Sequence, residues 1–272
     1  MRIRPKRQNC LYSHNGKAAM KSPKEFLEMD ADMSRDYIFR EVNLSFMDYD
    51  GIKRLIELGL YHDRLHERDE YGNTLLHIAV QRNHEELVKL IVFFIDLHDI
   101  KSDVIDIEND SGETALTVAI MNSSFESFLL LLDSEADMNA GKYAPITTAI
   151  SCKCFEYAQI LIDRGCNVNP RNVFAEQTPL ILAVMNKNVK IGKSLIVKGA
   201  DIHAVDYLYS SALHYAVKEE CGEMIRILLI MDADVYSRNI YGDKPWDLAS
   251  SFIRHNFLEL NPLLVELMPS DN

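Results

Sequence analysis

The chain has 272 residues, 47% apolar and 26% charged, enough to bury a sizeable core as one large domain or two small ones. Its longest apolar runs, Leu90–Ile95 and Leu180–Met185, are six residues, whereas a membrane-spanning helix needs about 20. The 11 Gly and 8 Pro exclude collagen-like and low-complexity chains, and the net charge of −12 disfavours a nucleic-acid phosphate backbone.

Charge is unevenly placed from the start. Residues 1–24 carry seven basic side chains and no acidic ones, leaving 22 Lys+Arg against 41 Asp+Glu, a net of −19, in the remaining 248. Residues 1–34 lack apolar periodicity and read as a basic, disordered tail. Three readings of it stay open: a solvated tail, a nuclear-localisation or anionic-surface patch at Arg4-Pro-Lys-Arg7, or an organelle-targeting leader. The five cysteines are irregularly spaced and no apolar signal-peptide core opens the chain, so free thiols in a reducing compartment are expected, cytoplasmic with nuclear entry left open.

Past the tail, one pattern recurs: Thr74-Leu-Leu-His-Ile-Ala79, Thr114-Ala-Leu-Thr-Val-Ala119, Ala144-Pro-Ile-Thr-Thr-Ala149, Thr178-Pro-Leu-Ile-Leu-Ala183, Ser211-Ala-Leu-His-Tyr-Ala216 and Lys244-Pro-Trp-Asp-Leu-Ala249. The closing alanines lie 40, 30, 34, 33 and 33 residues apart. Each copy reads as a short helix start. Thr or Ser supplies an N-cap oxygen, Pro suits the first helical position, and the small Ala lets a neighbouring helix approach. A second helix follows each, with apolar residues three and four apart, over 85–95, 125–132, 155–162, 191–197 and 224–230. Turns such as Gly165-Cys-Asn-Val-Asn169 and Gly199-Ala-Asp-Ile-His203 then close the unit, glycine supplying a left-handed helix end.

Asp69-Glu-Tyr-Gly-Asn-Thr-Leu-Leu-His-Ile-Ala79 and Asp110-Ser-Gly-Glu-Thr-Ala-Leu-Thr-Val-Ala119, the second lacking one residue between Asp and Gly, carry a resemblance to the ankyrin-repeat family over about residues 69–256. The resemblance implies an all-α solenoid of stacked helix–turn–helix–β-hairpin units. About seven are expected across 35–268, near 35–68, 69–108, 109–139, 140–169, 170–203, 204–236 and 237–268, with a tail at 269–272. The first would use Tyr37–Phe46 and Ile52–Leu58 as its helices, the last Pro245–Ile253 and Phe257–Met268.

Departures from the pattern mark individual units. The 69–108 unit is seven residues too long around Phe94–Asp106, by an extended helix or a bulged loop. The next hairpin tip, 140–143, is three residues short, and the two after it carry Ala175-Glu176 and Leu208-Tyr209 where a turn glycine belongs. These altered tips read equally as drift or as a tailored surface.

No phosphate loop, nucleophile elbow or dinucleotide fingerprint is present, so no enzyme, cofactor or metal is expected. Cys152 and Cys154, read as lying on one helix, would point about 200° apart and could not share a metal. The resemblance makes His77 and His214 scaffold residues bonding to adjacent turns. It also places Asn139 and Asn169, with Leu131 and Leu161 eight residues before, at a position hydroxylated in many ankyrin repeats, although a turn role alone explains both.

The expected contacts are with protein. Tyr71, Tyr143, Phe174, Tyr207, Tyr209 and Tyr241 fall in the hairpin tips, away from the core-forming helix faces, and aromatics bind at low entropic cost. Arg82, Met121, Met185 and Lys218, at the first-helix ends, line the concave groove. The expected function is a non-enzymatic adaptor, scaffold or inhibitor gripping a partner, and the acidic body points to one with an exposed basic segment. The oligomeric state is left open. An inhibitor of Rel-type transcription factors, a ubiquitin-ligase substrate receptor and a tether holding an anionic surface through the basic tail remain alternatives.

Overall fold

A computed structural model describes residues 65–98 and 104–251, together with helical Asp50, Ile52, Lys53 and Ile56. The basic tail, most of the first expected unit and residues 252–272 lie outside the described residues.

Thr or Ser opens four of the five inner helices: α1 (Leu75–Gln81), α3 (Ala115–Met121), α7 (Pro179–Met185) and α9 (Ala212–Lys218). The hydroxyls of Thr74, Thr114, Thr178 and Ser211 each accept the N–H three residues on, satisfying a helix-end donor. The fifth, α5 (Pro145–Ser151), starts at Ala144 with Pro at its first position, and Thr147 donates its hydroxyl back to the Ala144 carbonyl at 2.8 Å. Ala79, Ala119, Ala149, Ala183 and Ala216 are fully buried. Each inner helix therefore lies close along the next.

The outer layer is α2 (Glu85–His98), α4 (Phe125–Asp133), α6 (Phe155–Asp163), α8 (Val189–Val197) and α10 (Gly222–Ile230). Each packs on the inner helix of its own unit. The apolar core runs as a band between the layers, through Leu87, Ile91 and Ile95 on α2 to Met224, Ile225 and Leu228 on α10. Stability in such a stack is a sum of unit and nearest-neighbour terms. The excess length of the 69–108 unit goes partly into α2, which has 14 residues against nine in the other described outer helices. Between α4 and α6 the interval is filled by Phe125, Phe128 and Tyr157, whose ring centroids lie 4.7–6.4 Å apart.

Hairpins join the units, and one polar side chain holds each described tip except the short one at 140–143. The Asp69 carboxylate accepts the N–H groups of Tyr71 (2.9 Å) and Asn73 (2.8 Å). Asn109 does the same for Ser111 and Glu113, Asp206 for Leu208 and Ser210, and Asn239 for Tyr241 and Asp243. At the fourth tip Asn172 accepts from Ala175 and Gln177, one residue further round. The second copy of the motif therefore starts at Asn109 and lacks nothing. Asn supplies the same acceptor oxygen as Asp. Among the described residues the hairpins close with isolated antiparallel bridges, Arg68 to Thr74 and Val205 to Ser211.

The tips are bonded to one another. Asp110 donates its N–H to the Tyr71 carbonyl (3.1 Å), Lys142 to Gly112 (3.0 Å), Tyr207 to Ala175 (3.1 Å) and Ile240 to Leu208 (2.9 Å). A parallel ladder runs behind the outer helices, where Asp106, Asn139 and Asn169 accept the backbone N–H groups of Asp137, Asn167 and Asp201. Two histidines complete the joints. In both, Nδ1 accepts the N–H of the capping residue, Thr74 or Ser211, so Nε2 carries the proton and donates to Glu113 O at 3.0 Å or Asp243 O at 3.1 Å.

One expectation needs correction. Where an inner α-helix was expected from Pro245, a 3-10 turn, Pro245–Leu248, stacks on α9 and Ala249 leaves in extended conformation (ψ 129°).

Two stability outcomes follow from these joints. At Gly72 (φ +75°) an added Cβ would sit against the Asp110 carboxylate and 2.6 Å from its backbone nitrogen, so Gly72→Ala should cost at least about 2 kcal/mol in denaturant unfolding. Tyr209 occupies the equivalent left-handed place (φ +55°) with an exposed ring, so Tyr209→Gly should raise stability by about 0.5–1 kcal/mol. Equal effects of the two changes would contradict this assignment.

Burial holds the pKa of His77 and of His214 below the ordinary 6.5. The native state then takes up fewer protons than the unfolded chain once pH falls below that value, and stability drops. Thermal unfolding from neutral to mildly acidic pH should show a steeper loss for the wild type than for a His77→Gln/His214→Gln variant. Parallel curves would contradict the neutral, buried assignment.

Candidate functional site

The hairpin tips and the ends of the inner helices enclose the concave side. At its N-terminal end a groove of about 590 Å³ is lined by Asp69, Glu70, Tyr71, Asn73, Ile78, Gln81, Arg82, Asn109, Ser111 and Glu113. A smaller hollow of about 90 Å³ adjoins it, sharing Asn73, Gln81, Asn109 and Glu113 and adding Met121 and Asn122. The wall is knitted by hydrogen bonds, with Asn109 Nδ2 donating to the Asn73 side-chain oxygen and to Glu113 Oε2, both at 3.0 Å. Glu70 and Tyr71 stand outside that network and exposed, Tyr71 at 66%. The groove is open, polar and carries three carboxylates, Asp69, Glu70 and Glu113, around Arg82.

Of the residues singled out from the sequence, the structure brings Tyr71 and Arg82 together in this groove, with Met121 in the adjoining hollow. Tyr143 and Phe174, 31 positions apart, stack with centroids 6.0 Å apart, and the Lys142 ammonium lies 5.4 Å from the Tyr143 ring. Tyr143 is half-buried by this pairing, whereas Phe174 is 82% exposed. The stack occupies the junction between the third and fourth tips, where no backbone bond joins the tips among the described residues. Tyr207 and Tyr209 are exposed on the fifth tip and Tyr241 on the sixth. Met185, at the end of α7, touches the fourth hairpin through the Gln177 side chain, which donates to its sulfur at 3.3 Å, and Lys218 is exposed at the end of α9. The candidates thus fall into an N-terminal groove and a row of tips further along.

Asp206 anchors that row. The residue is 3% exposed, and its carboxylate accepts the Tyr215 hydroxyl at 2.6 Å besides two amides. Burial, then this carboxylate, push the Tyr215 pKa upward and keep the phenol a donor. Asn139 and Asn169 are exposed, yet both side-chain oxygens are taken by the next unit, and Asn169 also donates to Gly199 O at 3.0 Å.

Cys152 and Cys154 flank the turn between α5 and α6 rather than lying on one helix, and Cys154 Sγ donates towards Ile120 O and Cys152 O. The 200° argument therefore does not apply to them. Burial pushes the Cys166 thiol up to about 11 and raises that of Cys152, so neither is activated as a nucleophile. Among the described residues no group of three or more His, Cys, Asp or Glu gathers as a metal site, and no helix is long and apolar enough to cross a membrane. The sequence reading missed Glu70, Asn73 and Glu113 as groove residues. Their places beside Tyr71 and directly after the turn glycines Gly72 and Gly112 were the available signal.

Comparison with known proteins places this geometry. Models of ankyrin repeats match residues 71–102, 93–172 and 148–239. The chain is 30% identical over 217 residues to the human B-cell lymphoma 3 protein, covering 74% of this chain, and 28% identical over 210 residues to the Mus musculus homolog, covering 71%. It spans 44% of the length of each. The crystal structure of the ankyrin repeat domain of Bcl-3 superposes with a TM-score of 0.64 at 25% identity, covering 83% of this chain and 96% of that one. The human ASB11 ankyrin repeat domain shares the fold at 21% identity, with a TM-score of 0.57 over 80% of this chain and 91% of that one. The chain belongs to the ankyrin-repeat family, a protein–protein interaction fold.

Proposed function

We propose that this chain captures an extended basic segment of a partner protein in the groove between its first two hairpins, acting as an adaptor, scaffold or inhibitor by covering that segment. The observation that carries the reading is the groove itself: three carboxylates beside an exposed tyrosine, on a wall fixed by hydrogen bonds. Carboxylates attract Lys and Arg from a distance and speed encounter. The Tyr71 ring offers a face for a cation, worth about 0.5–1 kcal/mol at an exposed site. The wall is formed before binding, so little ordering entropy opposes the contact.

A narrower reading, an inhibitor of Rel-type transcription factors, is supported by the similarity to the B-cell lymphoma 3 proteins, since the matching Bcl-3 domain is described as a member of the IkappaB protein family. Either role would place the chain in the cytoplasm or nucleus.

The test is fluorescence anisotropy of a labelled Lys- and Arg-rich peptide with the full chain. Affinity should fall about tenfold or more as salt rises from about 0.05 to about 0.3 M. A Glu70→Lys/Tyr71→Ala variant of unchanged helicity should bind about tenfold more weakly. An affinity that ignores ionic strength, or survives the double substitution, would overturn the reading.

A further inference from the structure

The fourth and fifth tips differ from the first two in both shape and sign. Phe174 is 82% exposed, Tyr209 62% and Tyr207 56%, with Val173 also facing solvent. Tips four and five hold Glu176 (φ +53°) and Tyr209 (φ +55°) in the left-handed conformation that Gly72, Gly112 and Gly242 adopt on the other tips. A tyrosine there costs about 1–2 kcal/mol relative to glycine, and its ring recovers none of that from the core. Beneath Phe174 the Tyr143 ring is stacked and held, so the pair projects as one rigid apolar edge.

The charges bordering this edge are mostly basic, in a body whose net charge past residue 24 is −19. Lys142, Lys153, Arg171, Lys187 and Lys218 lie at the tips and helix ends of these units, against Glu176, Glu219, Glu220 and the buried Asp206. Two pairs cancel internally, Glu176 with Arg171 at 3.7 Å and Glu219 with Lys187 at 3.5 Å, which leaves Lys142, Lys153 and Lys218 against Glu220 at the surface. Lys142 lies 5.4 Å from the Tyr143 ring, and Lys218 is exposed at the end of α9, the inner helix that follows the fifth tip. The N-terminal groove shows the opposite balance, three carboxylates around Arg82.

We propose that the Phe174–Tyr207–Tyr209 ridge, bordered by Lys142 and Lys218, is a second protein-binding surface that takes an acidic segment carrying aromatic or aliphatic anchors. Rings dock the anchors while the lysines meet the intervening carboxylates. The array then has two ends of unlike chemistry and can hold a basic and an acidic segment at once. This extends the reading of the N-terminal groove without depending on it.

The experiment uses a labelled peptide alternating Asp or Glu with Trp, Leu and Phe, titrated against the full chain. The wild type should bind it at least about tenfold more tightly than a peptide of the same charge lacking the apolar residues. Phe174→Ala/Tyr209→Ala and Lys142→Glu/Lys218→Glu variants should each lose about fivefold or more. Both variants should keep wild-type helicity and wild-type affinity for a Lys- and Arg-rich peptide, and that peptide should not compete. The Glu70→Lys/Tyr71→Ala variant should bind the acidic peptide as the wild type does, which separates failure at one surface from failure at the other. Binding unaffected by either ridge variant, competition by the basic peptide, or equal affinity for a single-stranded oligonucleotide of matched charge would overturn the proposal.

Discussion

Five of the six described hairpins rest on a single acceptor oxygen at their base, and the short tip at 140–143 is tied instead through Lys142 N–H to the Gly112 carbonyl. Asp69, Asn109, Asn172, Asp206 and Asn239 each gather two backbone N–H groups of their own tip. Fixing the tip fixes the direction of its outward residues, aligns its backbone with the next tip, and sets the capping residue of the inner helix that follows. A hairpin outside the core would otherwise be the most mobile part of such a stack. Here it is as bonded as a helix.

That rigidity gives the concave side its chemistry. A ring or carboxylate on a fixed tip can bind with little loss of conformational entropy, so modest contacts count. The same frame carries unlike side chains along its length: Glu70, Tyr71 and Glu113 at one end, Phe174, Tyr209 and Lys218 towards the other. The buried histidines serve the frame, since both ring nitrogens of His77 and His214 are occupied by backbone groups across a joint.

Much of this was legible in the residues. Thr74, Thr114, Thr178 and Ser211 announce helix starts because capping is local chemistry, and the buried alanines mark where helices touch. What escaped depends on joints between distant segments. Reading the second motif from Asp110 rather than Asn109 hid an acceptor that amide and carboxylate provide equally well. The cysteine pair was placed on a helix because a turn residue at Lys153 (φ +60°) leaves no glycine to read. The stacking of Tyr143 on Phe174, and the carboxylates gathered between the first two hairpins, arise from residues more than 30 positions apart, beyond any local pattern.

Amide hydrogen exchange at the tips tests the central claim most directly. The N–H groups of Tyr71, Asn73, Ser111, Leu208 and Tyr241, each donated to the hairpin's own acceptor, should exchange as slowly as those of the adjacent inner helices. So should those of Asp110, Tyr207 and Ile240, which bridge to the neighbouring tip. Exchange at the rate of an unstructured peptide, with the inner helices still protected, would contradict the account.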